Sequence, residues 1–191
     1  MARSVRLVIL AMRQLAFRKS LAKYFVMSKS ERAPMQCPIA RTLERVGDVW
    51  TFLILRDASQ GLGRFDQFEK SLGVAPNILT KRLAALVENG LLEKRAYSER
   101  PPRYEYVLTD RGRDFGGVLT AMLAFGNRHF AVEGIAGQLV DRETGQPAEP
   151  ILVDRISGRP ITAERFTYAA GPAAGPEVLD RVAFMAGRNA G

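Results

Sequence analysis

The stretch from Pro76 to about Asn89 constrains this chain more than any other. Leu79, Leu83, Leu86 and Val87 recur at steps of three and four. At about 100° per residue they share one sector of a helix, while Asn77, Thr80, Lys81, Ala84 and Glu88 occupy the opposite one. Pro76 suits a first helical turn because its missing N–H would lack a partner there anyway. Gly90 suits a left-handed cap at the other end. A rod of this kind must bury its leucine side against other elements and leave its polar side open.

The neighbouring segments supply that partner surface. Ile39, Leu43 and Val46 have the spacing of a first helix, and Pro38 suits its first turn. The run Val49, Trp50, Phe52 to Leu55 is apolar on most sides and predicts a central helix ended by Gly61 and Gly63. Phe65, Phe68 and Leu72 predict a short third helix, and Gly73 to Pro76 the turn into the fourth. Leu91 to Arg95 and the alternating Tyr104, Tyr106 and Leu108 predict two strands. The turn between them is expected over 96–103, marked by Ser98, Pro101 and Pro102. Thr109 and Asp110 then cap one long helix carrying Phe115, Val118, Leu119, Met122, Leu123 and Phe130.

Helix, short helix, turn, helix and basic hairpin is the order of a winged helix-turn-helix. The expected fold is mainly α (α+β), with a two-stranded wing, a long C-terminal dimerisation helix and a small β-hairpin tail. Three regions are expected: a basic extension over 1–36, a DNA-binding and dimerisation domain over 37–132, and a hairpin repeat with a flexible tail over 133–191. The apolar stripe at Phe115, Val118, Leu119, Met122 and Leu123 comes after the compact domain should be complete. That position favours a subunit interface over added core, so a homodimer is expected.

Charge is weaker evidence than it first looks. The net charge is +8, but residues 1–30 carry Arg3, Arg6, Arg13, Arg18, Lys19, Lys23 and Lys29 and no acid. The rest is near balance, so a nucleic-acid partner has to be argued from placed residues. Three readings of the basic start stay open: an upstream-extended start with Met27 or Met35 as initiator, a basic arm or amphipathic surface helix, and a cleaved export signal. The apolar run from Leu7 to Met12 is short for an export signal and too short to span a bilayer. No membrane partner is expected. A single cysteine and a single histidine exclude an intrachain disulfide and a multi-cysteine metal cage, and fit a reducing cytoplasm. With no acid–base cluster around His129 and no glycine-rich phosphate loop, an enzyme is not expected.

Placed residues do point to duplex DNA. The open face of the 76–89 helix offers the Asn77 amide for adenine, the Thr80 hydroxyl, the Lys81 cation for guanine or phosphate, and a small Ala84 that allows close approach. Arg82 lies at the edge, placed for a backbone phosphate. Arg95, Arg100 and Arg103 cluster on the hairpin with Tyr97, where guanidinium groups reach phosphate or a minor groove. Glu93, Glu99 and Glu105 make that patch mixed. A solvated helix face and a salt-bridged hairpin are the plainer readings of the same residues. A protein-interaction module that uses the apolar fifth helix and ignores nucleic acid is the alternative function.

Several ordered motifs carry a family resemblance: Cys37-Pro38, GDVWTFLIL from Gly47, RFDQFEKSL from Arg64, APNILTKRLAALVENGLL from Ala75 and YEYVLTDRG from Tyr104. In these the chain resembles the HxlR family of winged-helix regulators over about 37–132. The resemblance implies a transcriptional regulator, paired as a homodimer through its first and last helices, on a double-stranded operator with two-fold symmetry. Neither the effector nor the sign of regulation follows. Ala75 stands where a serine cap is usual, and Val49 where a lysine commonly precedes Trp50, so any phosphate contact of that lysine does not carry over.

Cys37 precedes Pro38 at a helix N-terminus, where the dipole favours a thiolate. Relatives include thiol-based sensors, so a redox switch and a packed structural cysteine both stand as readings. The tail holds a near-repeat, VDRETGQP from Val140 and VDRISGRP from Val153, each predicting a strand and a tight glycine turn. Some relatives carry zinc-ribbon cysteines in the similar segment. Here Thr144 and Ser157 take those places, and hydroxyls hold zinc poorly, so a hairpin pair without metal or other cofactor is expected. Beyond Ala169 a flexible end is expected, with Val178 to Met185 able to form a short helix.

Overall fold

A computed structural model describes residues 36–188. The basic start, with its three readings, lies outside them. Arg45–Arg165 forms one compact unit, and the described residues on either side belong to another. Helices α1 (Pro38–Val46), α2 (Val49–Ser59), α3 (Phe65–Leu72) and α4 (Pro76–Glu88) come first. Strands β1 (Leu92–Glu99) and β2 (Pro102–Leu108) pair antiparallel, and α5 (Asp110–Asp114), α6 (Gly116–His129) and α7 (Pro176–Arg188) follow.

The core of the larger unit gathers one apolar residue set from each element. Ile54 and Leu55 of α2, Phe68 of α3, and Leu79, Leu83 and Leu86 of α4 are buried together with Val46, Val74, Leu91, Leu92 and Phe115. Asp48 caps α2, its Oδ1 accepting from the Trp50 and Thr51 amides at 3.1 and 3.4 Å. Gln67 reaches back from α3, its Oε1 accepting from the Gly63 and Arg64 amides at 3.0 and 2.9 Å. Gly73 ends α3 in the left-handed region at φ 59°, a conformation that costs glycine nothing. Trimmed to side chains of this burial, a leucine-to-alanine change costs about 2–5 kcal/mol.

Three expectations about element limits change. The wing strands run further than their alternation suggests: pairing continues through Ser98↔Arg103 and Glu99↔Pro102, so the tip is only Arg100 and Pro101. Prolines mark a turn over 96–103 by local signal, yet proline is tolerated as the first residue of a strand, which is where Pro102 sits. The single long fifth helix is in fact two. Phe115 turns into the core against Phe52, ring centroids 5.3 Å apart, and the side-chain-free Gly116 and Gly117 let the helix break there. The tail repeats, expected as strands, form one isolated bridge each, Val140↔Pro147 and Val153↔Pro160.

Each tail turn is tied by its aspartate. Asp141 Oδ1 accepts from the Glu143 and Thr144 amides and the Thr144 hydroxyl at 2.9, 2.8 and 3.1 Å. Asp154 Oδ2 accepts from the Ser157 amide and hydroxyl at 2.9 and 2.6 Å. In the smaller unit, α7 extends the expected Val178 to Met185 helix at both ends, and the Gly175 amide before it donates to Gln36 Oε1.

Candidate nucleic-acid interface

Helix α4 lies with its leucines inward. Leu79 and Leu83 are 0% exposed and Leu86 1%, whereas Asn77, Thr80, Lys81, Ala84 and Glu88 are all exposed. The helix begins without a side-chain cap, since Ala75 has none to offer. One polar residue on the open face compensates locally: Asn77 Oδ1 accepts from the Ile78 amide at 2.9 Å. The Thr80 hydroxyl donates back to the Pro76 carbonyl at 2.8 Å. The Asn77 Nδ2 donors and the Lys81 ammonium face outward, and Lys81 makes no ion pair among the described residues.

Arg82 is turned elsewhere. Its Nη2 donates to Asp48 Oδ2 at 2.8 Å, an ion pair in which both side chains are about one-third exposed. Its Nε is buried without a partner among the described residues. The carboxylate that caps α2 thus also holds α4. Sequence reasoning missed Asp48 in this role, although an aspartate just ahead of a helical run is a cap signal.

The hairpin is built onto the helix-turn-helix through Gly63 and Arg64. The Tyr106 amide donates to the Gly63 carbonyl at 2.7 Å, and Arg64 bridges Glu105. Tyr97 occupies a bulge between Ala96 and Ser98, which re-aims its ring. The Arg64 guanidinium lies 4.8 Å from the Tyr97 centroid, and Lys94 Nζ 4.1 Å from that of Tyr104. Neither cation was singled out in the sequence. Pairs of this kind contribute about 0.5–1 kcal/mol at exposed sites.

Of the hairpin arginines, Arg95 pairs with Glu93. Arg100 at the tip and Arg103 are exposed and form no ion pair among the described residues. The wing thus presents Lys94, Arg100 and Arg103, with Arg64 stacked on its Tyr97 from the start of α3, on the same unit as the open face of α4.

The expected interface stripe divides. Phe115 belongs to the core of the larger unit at 7% exposure, and Leu119 packs against that core. Val118 and Met122 are exposed with Phe125, and α6 buries no residue at all. Leu123 is half-buried. Cys37 is a free, half-buried cysteine just ahead of α1, its carbonyl accepting from the Arg41 amide. No helix among the described residues is long and apolar enough to cross a membrane.

A helix-turn-helix followed by a two-stranded wing, with an open polar face on its second helix, defines the winged-helix class of regulators. Residues 45–133 match the profile of the HxlR-like helix-turn-helix family, and the chain belongs to that family. An uncharacterized HTH-type transcriptional regulator of Mycobacterium tuberculosis is 38% identical over 135 residues, covering 70% of this chain and 85% of the relative. A solved structure described as a transcription factor of Pseudomonas aeruginosa is 54% identical. It covers 76% of this chain and 99% of its own, with a TM-score of 0.56. PA1607, also described as a transcription factor, is 40% identical over 71% of this chain and 96% of its own, with a TM-score of 0.64.

Proposed function

We propose that the protein regulates transcription in the cytoplasm as a homodimer bound to a double-stranded operator, with α4 in the major groove and the wing on phosphate or the minor groove. The observation that carries this reading is the division of α4 between a sealed leucine side and an open side of amide, hydroxyl and ammonium. The major groove is about 12 Å wide and admits a helix whose N-terminal residues meet base edges. Asn77, Thr80 and Lys81 occupy that end, and Ala84 keeps the face low.

Asn77 needs both its carbonyl and its amide for bidentate contact with adenine. Docking therefore requires its Oδ1 to be shared with, or released from, the Ile78 amide. Arg100 and Arg103 act as the wing's contacts. Arg95 joins them only by leaving Glu93, an exposed pair that constrains it little. Pairing of two copies rests on the exposed Val118, Met122 and Phe125 of α6, a stripe at helical spacing that no element of the larger unit covers.

Lys81→Ala tests the reading. A gel-shift titration against a duplex selected by the protein from a random-sequence library should show affinity weakened by about 1–3 kcal/mol. Unchanged affinity would remove Lys81 from the interface. Wild-type binding should also fall steeply with salt, because each phosphate contact releases counterions.

A further inference from the structure

Arg82 sits one residue after Lys81 and looks, from sequence, like a phosphate ligand. We infer instead that it is a positioning residue: through its ion pair with Asp48 it pins the rotation of α4 within the sector its buried leucines allow, and so aims the side chains that face the groove. This rests on the DNA-binding reading above and concerns how that site is held.

Three observations carry it. The leucines that anchor α4 choose which side of the helix is buried, but apolar contacts are not directional in themselves and leave the finer rotation about the axis to be fixed by something else. The Asp48–Arg82 bond, at 2.8 Å between residues 34 apart in sequence, is the directional tie. It is also rooted at its Asp48 end. Asp48 is fixed by capping α2 with its other oxygen, accepting from Trp50 and Thr51, and α2 is the helix that places Ile54 and Leu55 in the centre of the core.

The guanidinium is moreover poorly placed for phosphate. Its Nε is closed off from solvent and its Nη2 is committed to a carboxylate, so the two-pronged grip that makes arginine a strong phosphate ligand is not on offer. The neighbouring Lys81, exposed and unpaired among the described residues, is the cation free to reach out. Adjacent positions on one helix thus divide the work: Lys81 contacts the nucleic acid and Arg82 aims Lys81.

The test uses the full chain with Asp48→Asn, Asp48→Ser, Arg82→Gln and the double variant Asp48→Asn with Arg82→Gln. Asparagine and serine keep the α2 cap and remove the charge. Affinities are titrated over a salt series on the library-selected duplex and on a scrambled duplex of equal length. A positioning role predicts that each single variant loses roughly tenfold on the selected duplex, that the double variant loses no more than one of them, and that scrambled-duplex affinity and the salt slope stay at wild type. A phosphate role predicts the opposite: Arg82→Gln lowers the slope by about one on both duplexes, and the Asp48 variants bind more tightly because the guanidinium is released. That result, or neutral single variants, overturns the inference.

Should Arg82→Gln fail to fold, the two Asp48 variants alone still give opposite signs under the two roles. If wild-type protein does not distinguish the selected from the scrambled duplex, the DNA reading itself fails. If it does and the variants do not couple, only the role of Arg82 fails.

Discussion

Single residues in this fold act through what their side chain, or its absence, permits. Gly112 is buried beside the end of the wing, where an added Cβ would stand 2.1 Å from the Leu91 carbonyl oxygen and 2.9 Å from Leu108 Cδ2. That carbonyl also accepts from the Thr109 amide at 3.1 Å, so it cannot retreat without breaking the junction. Thr109 completes the junction, its hydroxyl donating to the Gly90 carbonyl at 2.6 Å and accepting from the Gly112 amide at 3.1 Å. Gly112→Ala should cost at least the upper end of the about 1–3 kcal/mol typical of overpacking. Urea titration is the check, and an unchanged midpoint would show that the junction yields. The requirement for glycine there was invisible to periodicity, because the tightest clash comes from the Leu91 carbonyl, about twenty positions earlier in the chain.

At the scale of elements, α4 starts uncapped, and the Asn77 side chain has taken over part of the cap's work. Ala75→Ser should therefore stabilise the protein by about 1 kcal/mol, read as a raised thermal midpoint. By relieving Asn77 of the Ile78 amide it should also leave DNA affinity equal or better; weaker binding would contradict the outward role given to Asn77. The tail turns respond to acid instead. Amide donors from Thr144, then Glu143, then the Thr144 hydroxyl hold the Asp141 carboxyl below the ordinary aspartate value of 3.8. The Ser157 hydroxyl and then its amide do the same for Asp154. A carboxyl depressed on folding supports its turn above the ordinary value and loses that support as pH falls through the lower, folded one. The Thr144 and Ser157 amide resonances should thus hold steady down to about pH 4 and move below it. Movement near neutrality would rule out these hydrogen bonds as their cause.

Across the whole molecule, the unpaired surface is as informative as the core. Helix α6 is rich in apolar residues and buries none, and Val118, Met122 and Phe125 stand at 43, 51 and 55% exposure. Contiguous exposure of that kind marks interaction surfaces. Under the proposed pairing, Met122→Lys should shift the protein from dimer toward monomer in sedimentation velocity, and weaken binding to the selected duplex without disturbing the core, since Met122 is not part of it. A variant that sediments as wild type would place the partner surface elsewhere. Phe115, grouped with that stripe by spacing, is unsuited to such a test because it fills the core of the larger unit.

The order of elements, the open face of α4 and the family were all legible from local pattern, because helical spacing, caps and strand alternation are encoded by residues next to one another. The break at Phe115 was not, since a repeat of three and four continues across it and only the pocket beside Phe52 reveals which way the ring turns. Nor was the partner of Arg82: on a helical wheel it sits at an edge, equally able to reach a phosphate or a carboxylate. That choice belongs to the packing of α2 against α4, which brings Asp48 within 2.8 Å. Short-range sequence thus determines which face a helix offers, while three-dimensional packing decides which charges on that face are already taken.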